Sequence, residues 1–280
     1  MSERTVTSVL RAQQTSDGAG VKLRRSIGTP ALRHLDPFLM LDAFGTDNPD
    51  DYIAGFPNHP HRGFETVTYM LAGRMQHKDS VGNTGDLVAG SVQWMTAGRG
   101  IIHSEIPQQT EGRMAGFQLW VNLPAARKMT APRYQDIPPE RIPTLTTPAG
   151  VTVKVIAGQH HHLLGPVATI DTHPVLLDVQ LPAGTSHAVA LPAEHTAFAY
   201  VFEGSVALPG GPDPLPEHHL AVLSLGDHLT LTAGPQGGRA LVVAGRPLRE
   251  PIVQYGPFVM NTPQEIQQAF ADYQAGRLAT

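Results

Sequence analysis

Residues 59–71 of the chain read HPHRGFETVTYML, and residues 93–107 read QWMTAGRGIIHSEIP. Each segment carries two side chains that can bind a metal ion, separated by a single residue. These side chains are His59, His61, His103 and Glu105. Alternate residues of a strand point to the same side, with side chains about 6–7 Å apart. Each segment can therefore direct both ligands into one space if it is extended, as the β-branched and aromatic residues after the first pair indicate.

The two segments together predict a site for one divalent metal ion. If they face each other, three imidazoles and one carboxylate converge, a set that suits iron(II), manganese, nickel, cobalt, copper or zinc. On an octahedral ion, four protein ligands would leave two positions for a substrate and oxygen. The first pair alone is also compatible with a solvated turn, because Pro60 separates the histidines and the chain has 14 of them. The second pair favours the metal site.

The overall composition excludes several classes of function. The 280 residues suffice for one large domain or two modest ones. The net charge is −4 and no basic stripe is visible, so a nucleic-acid groove is not expected. Without cysteine, the chain has no disulfide, thiolate metal site or cysteine nucleophile. A polar N-terminus, and the lack of any apolar run of about 18 residues, predict no membrane span and a cytoplasmic location.

Turn-forming residues predict an all-β chain of antiparallel strands. There are 28 glycines and 25 prolines, and strand-like segments recur about every 8–12 residues, as in sandwiches and barrels. We expect an N-terminal metal-binding barrel over residues 1–130, a proline-rich linker over residues 131–150, and a second barrel over residues 151–280 that lacks the metal.

The segment after Asn261 predicts a helix. Thr262 can cap it, Pro263 suits its first position, Glu265 completes a capping box and Gly276 ends it. Four apolar side chains share one face at helical spacing, namely Ile266, Ala269, Phe270 and Tyr273. This face is expected to pack on a barrel.

Short matching segments indicate an internal repeat. YMLAG at residues 69–73 resembles YVFEG at residues 200–204, and TAG occurs at residues 96–98 and 232–234. Transferring the four ligand positions by the same offsets leads to Ala190, Pro192, Arg239 and Leu241. The second half is therefore expected to have lost this metal site. The triple histidine run at residues 160–162 is predicted to be a solvated loop.

The two ligand segments, with GFQLWVNLP at residues 116–124 and the C-terminal GPFVMNTPQEIQQAFADYQAGRL, resemble those of the pirin family, a bicupin branch of the cupin superfamily. The resemblance covers almost the whole chain. It implies two tandem antiparallel cupin β-barrels with the metal only in the first. The family's ligands correspond to His59, His61, His103 and Glu105. The general cupin pattern would place the carboxylate at Glu65, which stays the alternative ligand.

The resemblance implies one of two functions. The first is a quercetin 2,3-dioxygenase-like oxidoreductase that opens a flavonol ring with O2 and releases carbon monoxide, with iron(II) as the favoured metal. The second is a regulatory protein that binds other proteins according to the oxidation state of the metal. Both need the same ligands. A sugar-phosphate isomerase is disfavoured, because only Arg62 and Arg99 could clamp a phosphate. A monomer is expected.

Glu105 is the candidate catalytic base for the flavonol hydroxyl. Polar residues that could orient the ligands, or serve as ordinary strand residues, are Glu65, His77, Gln93, Ser104 and Gln118. Apolar residues that could line a substrate pocket, or pack in the core, are Phe44, Phe56, Met70, Trp94 and Met95.

Overall fold

The computed structural model describes residues 2–279, which form antiparallel strands and one α-helix. The strands of the N-terminal half are β1 (Val6–Arg11), β2 (Gln13–Asp17), β3 (Val21–Ile27), β4 (Phe38–Thr46), β5 (Phe56–His61), β6 (Phe64–Ala72), β7 (Arg74–Asp79), β8 (Thr84–Val88), β9 (Val92–Thr96), β10 (Ile101–Pro107), β11 (Met114–Asn122) and β12 (Arg133–Ile137). Those that follow are β13 (Thr144–Thr146), β14 (Thr152–Ala157), β15 (Gln159–His160), β16 (Leu163–Leu164), β17 (Val175–Leu181), β18 (Ser186–Ala190), β19 (Thr196–Ala207), β20 (Leu215–Pro216), β21 (His219–Leu223), β22 (His228–Gly245), β23 (Val253–Tyr255) and β24 (Phe258–Met260). Helix α1 spans Pro263–Gln274, and 3-10 turns lie at Pro49–Asp51, Ala125–Arg127 and Pro139–Arg141. The predicted all-β chain with a C-terminal helix is confirmed.

The chain folds into two compact units, and each end of the chain belongs to the unit formed mainly by the other half. Among the described residues, the N-terminal unit comprises 14–29, 37–139 and 248–279, and the C-terminal unit comprises 2–13, 30–36 and 140–247. The expected boundaries, 1–130 and 151–280, differ from this grouping at both ends. The physical reason at the N-terminal end is strand pairing, because β1 pairs with β21. At the other end, Phe258 of β24 forms a bridge with Arg62, and Asp272 of α1 forms an ion pair with Arg62 at 2.8 Å.

Two sheets of the N-terminal unit position the predicted ligands. Seven strands pair in the order β12-β9-β6-β11-β4-β3-β2, and four pair in the order β5-β10-β7-β8. Strands β5 and β10, which carry the two ligand pairs, are therefore neighbours. Two of the residues considered for a substrate pocket, Phe44 and Met70, are buried in a cluster with Met75 and Met114, and Phe56 packs against this cluster. These three side chains therefore pack in the hydrophobic core.

The C-terminal unit has an aliphatic interior. Its strands pair in the order β1-β21-β19-β22-β17-β14-β13, with β18 on β22 and β20 on β19. Valine, leucine and alanine from these strands form one large buried cluster. Two positions equivalent to first-barrel ligands have structural roles, because Leu241 is buried and Arg239 forms an ion pair with Asp178 at 2.7 Å.

The proline-rich segment expected to be a linker contributes strands to both units. Strand β12 pairs with β9 in the N-terminal unit, and β13 pairs with β14 in the C-terminal unit. Both are edge strands of their sheets, the place where neighbouring prolines are tolerated because one side of the strand needs no ladder hydrogen bonds. The path between the units is therefore shorter than the predicted 131–150.

Helix α1 begins as the sequence predicts. The Thr262 hydroxyl accepts a hydrogen bond from the Glu265 backbone N–H, and the Glu265 carboxylate accepts one from the Thr262 N–H, which completes a capping box. Ile266 and Ala269 are buried against Phe258 and Met260. Two further members of the predicted face lie at its margin, since Phe270 is partly buried and Tyr273 is exposed. In the part of the chain that the structure describes, no helix has the length and apolarity to cross a membrane.

Candidate metal centre

Strands β5 and β10 bring three histidines together. The two strands are antiparallel, and His103 lies opposite His59 in their register. The ring centroids of His59 and His103 are 4.3 Å apart, those of His59 and His61 are 4.7 Å apart, and those of His61 and His103 are 4.9 Å apart. One ring nitrogen of each lies within 4.8 Å of one nitrogen of each of the others. The structure thus places the three predicted imidazoles around one point.

Hydrogen bonds select which nitrogen of each ring is available. Nδ1 of His59 lies 2.8 Å from the carbonyl oxygen of Pro57, and Nδ1 of His103 lies 3.1 Å from Nδ1 of His77. On both rings, Nε2 is therefore the nitrogen that can bind a metal ion. Nε2 of His103 is buried without a hydrogen-bond partner, and neither nitrogen of His61 has a well-formed one. Buried polar atoms are normally satisfied, so these orphaned nitrogens fit a bound cation.

The histidines are electrically suited to a cation. Burial lowers the pKa of His61 well below its usual value, the charge of His59 acts in the same direction, and only the nearby Pro257 carbonyl opposes them. Burial, followed by the neighbouring histidines, lowers the pKa of His103 in the same way. Both rings are therefore neutral at neutral pH, the form that donates a lone pair to a metal ion.

A chain of hydrogen bonds runs outward from His103. With Nε2 of His103 free, its Nδ1–H donates to Nδ1 of His77, and Nε2–H of His77 donates to the Tyr134 hydroxyl at 3.0 Å. The Tyr134 hydroxyl in turn bonds to the Asp79 carboxylate. Burial and Asp79 raise the pKa of Tyr134, so the hydroxyl keeps its proton and can donate it. This chain fixes the tautomer of a ligand, as second hydrogen bonds to metal-binding histidines do.

Glu105 follows two residues after His103 on β10 and is buried like it. Its Oε1 lies 3.0 Å from the Thr68 hydroxyl, which also lies 2.6 Å from Oε1 of Gln118. A hydroxyl carries one proton, so it can donate fully to only one of these oxygens. The nitrogens of the three histidines lie within 4.8 Å of one another, and Glu105 does not belong to this group. Its roles as fourth ligand and base stay predictions.

Glu65, the alternative ligand, is also buried, and its Oε1 accepts a hydrogen bond from the Thr96 hydroxyl at 2.6 Å. It too lies outside the histidine group. Since Glu65 and Thr96 face each other across β6 and β9, this bond joins two neighbouring strands. The contact gives Glu65 a structural role.

Two aromatic rings form the apolar side of the centre. Phe64 and Trp120 lie edge-on to His61, with centroid distances of 5.1 and 5.3 Å. Their own rings are tilted by 36° to each other, with centroids 4.3 Å apart. His59 is partly exposed, whereas His61 and His103 are buried. The side of the centre nearest to solvent is therefore that of His59.

The turn that follows His61 is held by a buried lysine. Gly63 has a φ of 91°, and a Cβ at this position would collide with the backbone carbonyl of Val259. Nζ of Lys128 donates to the carbonyls of Gly63 at 2.7 Å and Val259 at 3.0 Å, and to Oδ1 of Asn122 at 2.6 Å. Burial lowers the pKa of Lys128 to about 8.

An ion pair connects the same turn to the C-terminal helix. Arg62 is buried, donates to the carbonyl of Arg99, and forms an ion pair with Asp272 of α1 at 2.8 Å. Arg62 and Arg99 were the two residues considered for a phosphate clamp. The guanidinium of Arg62 instead binds Asp272 and the Arg99 carbonyl. This agrees with the expectation that the protein is not a sugar-phosphate isomerase.

Of the polar residues expected around the ligands, His77 contacts His103 directly and Gln118 contacts Thr68. Gln93 bonds to Asp136 at 2.8 Å. Sequence reasoning missed Thr68 and Tyr134. Thr68 could have been found from the sequence, because it lies two residues before Met70, which was considered for a substrate pocket, and alternate residues of a strand point to the same side. Tyr134 could not have been found in this way, since it lies in the segment expected to be a linker.

The sequence matches the Pirin family model over residues 20–121 and the Pirin C-terminal cupin domain model over residues 176–279. It is 55% identical over 281 residues to a "Putative quercetin 2,3-dioxygenase" of Pseudomonas aeruginosa, covering 99% of this chain and 98% of that protein. A "Pirin-like protein" of Caulobacter vibrioides is 48% identical, with 99% and 100% covered. The crystal structure of a quercetin 2,3-dioxygenase from Acinetobacter baumannii superposes with a TM-score of 0.91 and 35% identity, covering 99% of both chains. The expected tandem-cupin fold is confirmed.

Proposed function

Because the chain belongs to the pirin family, we propose that it is a metal-dependent dioxygenase that opens flavonols such as quercetin with O2. The observation that carries the proposal is the convergence of three histidines, two of which, His61 and His103, have buried ring nitrogens without hydrogen-bond partners. The names of the relative from Pseudomonas aeruginosa and of the structural neighbour from Acinetobacter baumannii support the choice of substrate.

His59, His61 and His103 would hold the ion through one nitrogen each, with Glu105 as the fourth ligand. Iron(II) is the proposed ion, and the donor set also suits manganese, nickel, cobalt, copper and zinc. When bound, the ion would supply Lewis-acid stabilisation of the flavonolate anion, which lowers the pKa of the 3-hydroxyl. The neutral histidines add no negative charge, so the site can accept an anionic substrate.

Glu105 is proposed to take the proton of the flavonol 3-hydroxyl. A carboxylate can act as a general base when it lies within hydrogen-bond reach of the proton. The Thr68 hydroxyl, 3.0 Å from Oε1 of Glu105, would fix the rotamer of this carboxylate. Oε1 of Gln118, 2.6 Å from the same hydroxyl, is a second acceptor that competes with Glu105 for its single proton.

The substrate is proposed to approach from the side of His59, the partly exposed member of the group. Phe64 and Trp120 pack against His61 on the apolar side, where they would exclude water from the ligands. Exclusion of water strengthens the electrostatic interactions of the site.

Carbon monoxide release tests this proposal, because simple oxidation of quercetin does not form carbon monoxide. Iron-loaded protein is mixed with quercetin in air-saturated buffer, and carbon monoxide is trapped by reduced haemoglobin. The expected result is one carbon monoxide per quercetin consumed. Quercetin loss without carbon monoxide, or no loss by protein shown to contain iron, would contradict the proposal and favour the regulatory function. The cytoplasmic location and the monomeric state are further parts of the proposal.

A further inference from the structure

Three histidines of the C-terminal unit converge at a second place. His160 ends β15, His161 begins the turn to β16, and His187 lies on β18. One ring nitrogen of each lies within 4.8 Å of one nitrogen of each of the others. The ring centroid of His160 lies 4.4 Å from that of His161 and 5.2 Å from that of His187. The centroids of His161 and His187 are 6.2 Å apart.

The backbone explains how two consecutive residues face one space. Neighbouring residues of a strand point to opposite sides, but His161 has a φ of 50°, a left-handed conformation that few non-glycine residues adopt. The side-chain amide of Gln159 donates to the His161 carbonyl at 2.8 Å and holds this turn. His187 shares its side of β18 with the buried Val189, so its ring lies toward the interior of the unit.

His160 is the buried member of the cluster, so the prediction of a solvated loop for residues 160–162 is wrong at this position. Its Nδ1 has no hydrogen-bond partner, and its Nε2 lies 3.0 Å from Nε2 of His187. Ligands of a tetrahedral zinc ion with bonds of about 2.0–2.1 Å are about 3.3 Å apart. The observed separation therefore needs only a small adjustment to admit an ion.

The protonation state of the cluster agrees with this geometry. Burial, and then the neighbouring histidines, lowers the pKa of His160 to about 4. Burial also lowers the pKa of His187. Both rings are neutral at neutral pH and can donate lone pairs.

We propose that His160, His161 and His187 form a second divalent-metal site, of the three-histidine zinc type. Three imidazoles suit zinc, nickel(II) or copper(II). His161 is exposed, so a fourth coordination position is open to water, as in zinc sites with three protein ligands. The cluster differs from the positions that the internal repeat assigns to the first-barrel ligands, such as Ala190 and Pro192. The loss of ligands at those positions therefore does not exclude this site.

A metal ion in this site would join the β15–β16 turn to β18. These segments are separate in sequence, and among the described strands β15 and β16 form a two-stranded sheet of their own, while β18 pairs with β22. Because the unfolded chain does not present the three rings together, binding stabilises the folded C-terminal unit.

The zinc content of full-length protein without a polyhistidine tag tests the proposal. The measurement is made in the His59→Ala, His61→Ala background, so that the first site does not contribute. The chelator-treated protein is loaded with zinc, passed through gel filtration and analysed for metal. We expect about one zinc per chain in the background, less than about a tenth after adding His187→Ala, and about one after adding His162→Ala. His162 is the exposed neighbour outside the cluster and provides the matched control.

Two results would overturn the proposal. The first is a background protein that retains no zinc, or retains it after His187→Ala. The second is that His162→Ala loses as much zinc as His187→Ala, which would show that zinc binds nonspecifically to the histidines at residues 160–162. His160→Gln serves as a second variant, and circular dichroism verifies that each variant is folded. A zinc-induced rise in melting temperature that disappears with His160→Gln would give independent support. None of these readouts depends on turnover.

Discussion

Nδ1 of His77 lies 3.1 Å from Nδ1 of His103, although 25 residues, which include strands β8 and β9, separate them in the chain. The contact arises because β7 and β10 are paired neighbours. Because the Tyr134 hydroxyl donates to Asp79, His77 donates from Nε2 and accepts at Nδ1. The proton between His77 and His103 therefore belongs to Nδ1 of His103, which leaves Nε2 of His103 for a metal ion. His77 is therefore a positioning residue of the proposed site.

Replacement of His77 by alanine is expected to weaken metal binding by about 10–100-fold, the usual effect of removing a partner of a ligating histidine. Tyr134→Phe, which removes only the hydroxyl 3.0 Å from His77, is expected to have a smaller effect in the same direction. Metal affinity is measured by competition with a chromophoric chelator. Unchanged affinity in both variants would show that the hydrogen-bond chain does not orient His103.

Glu105→Gln is expected to reduce kcat by about 10²–10⁴-fold, the contribution of a general base, while the protein retains most of its metal. An amide has the shape of the carboxylate but does not accept the proton. Thr68→Val, which removes the hydroxyl 3.0 Å from Glu105, is expected to reduce kcat less. Steady-state kinetics and metal analysis are done on the same samples. A Glu105→Gln enzyme with the wild-type rate would exclude this residue as the base.

Lys128 predicts a pH-dependent stability. Its pKa is about 8 in the folded protein and 10.5 is the unperturbed value. Between these values the unfolded chain binds more protons than the folded chain, so this group makes the free energy of unfolding rise with pH. The rise is on the order of 3 to 4 kcal/mol, at about 1.4 kcal/mol per pKa unit.

Lys128→Met removes that titration. The free energy of unfolding of the wild type minus that of Lys128→Met is therefore expected to increase from pH 8 to pH 10.5, as measured by urea denaturation at each pH. Other titrating groups are common to both proteins and cancel in the difference. A difference that is constant or falls over this range would contradict the sign of the shift.

Arg4 anchors the N-terminal strand within the C-terminal unit. Its guanidinium is buried and donates to the carbonyls of Pro192 at 2.7 Å, Ser224 at 2.9 Å and His195 at 2.9 Å. Arg4→Ala leaves these acceptors without that donor and is expected to lower the free energy of unfolding by at least about 2 kcal/mol. Arg11→Ala, at an exposed position of β1, is the control and should change it by less than about 0.5 kcal/mol. Equal effects of the two changes would refute the anchoring role.

The sequence predicts those features that depend on local patterns. The ligand, spacer, ligand spacing placed His59 and His61 on one side of a strand, and the capping box placed the start of α1 at Pro263. The internal repeat predicted two similar barrels, and the matches to the Pirin model and to its C-terminal cupin domain model confirm the tandem-cupin fold. Each of these rests on residues within a few positions of one another, or on direct comparison of two segments.

Features that depend on distant pairing could not be predicted in this way. The pairing of β1 with β21 brings Val6 opposite Leu223, and no local pattern encodes that partner. The position of Tyr134 beside His77 follows from an edge strand in a proline-rich segment. His160 and His187 also meet only through the fold, and the triple run around His160 is otherwise typical of an exposed turn.

Oxygen uptake by iron-loaded protein on addition of quercetin tests the central claim most directly. Wild-type protein is compared with the His59→Ala, His61→Ala variant, and His162→Ala serves as a control that changes a histidine outside both clusters. We predict rapid uptake by the wild type and by His162→Ala, and uptake at the rate of a protein-free control by the double variant. Equal uptake by the wild type and the double variant, or none by wild-type protein shown to contain iron, would contradict the account.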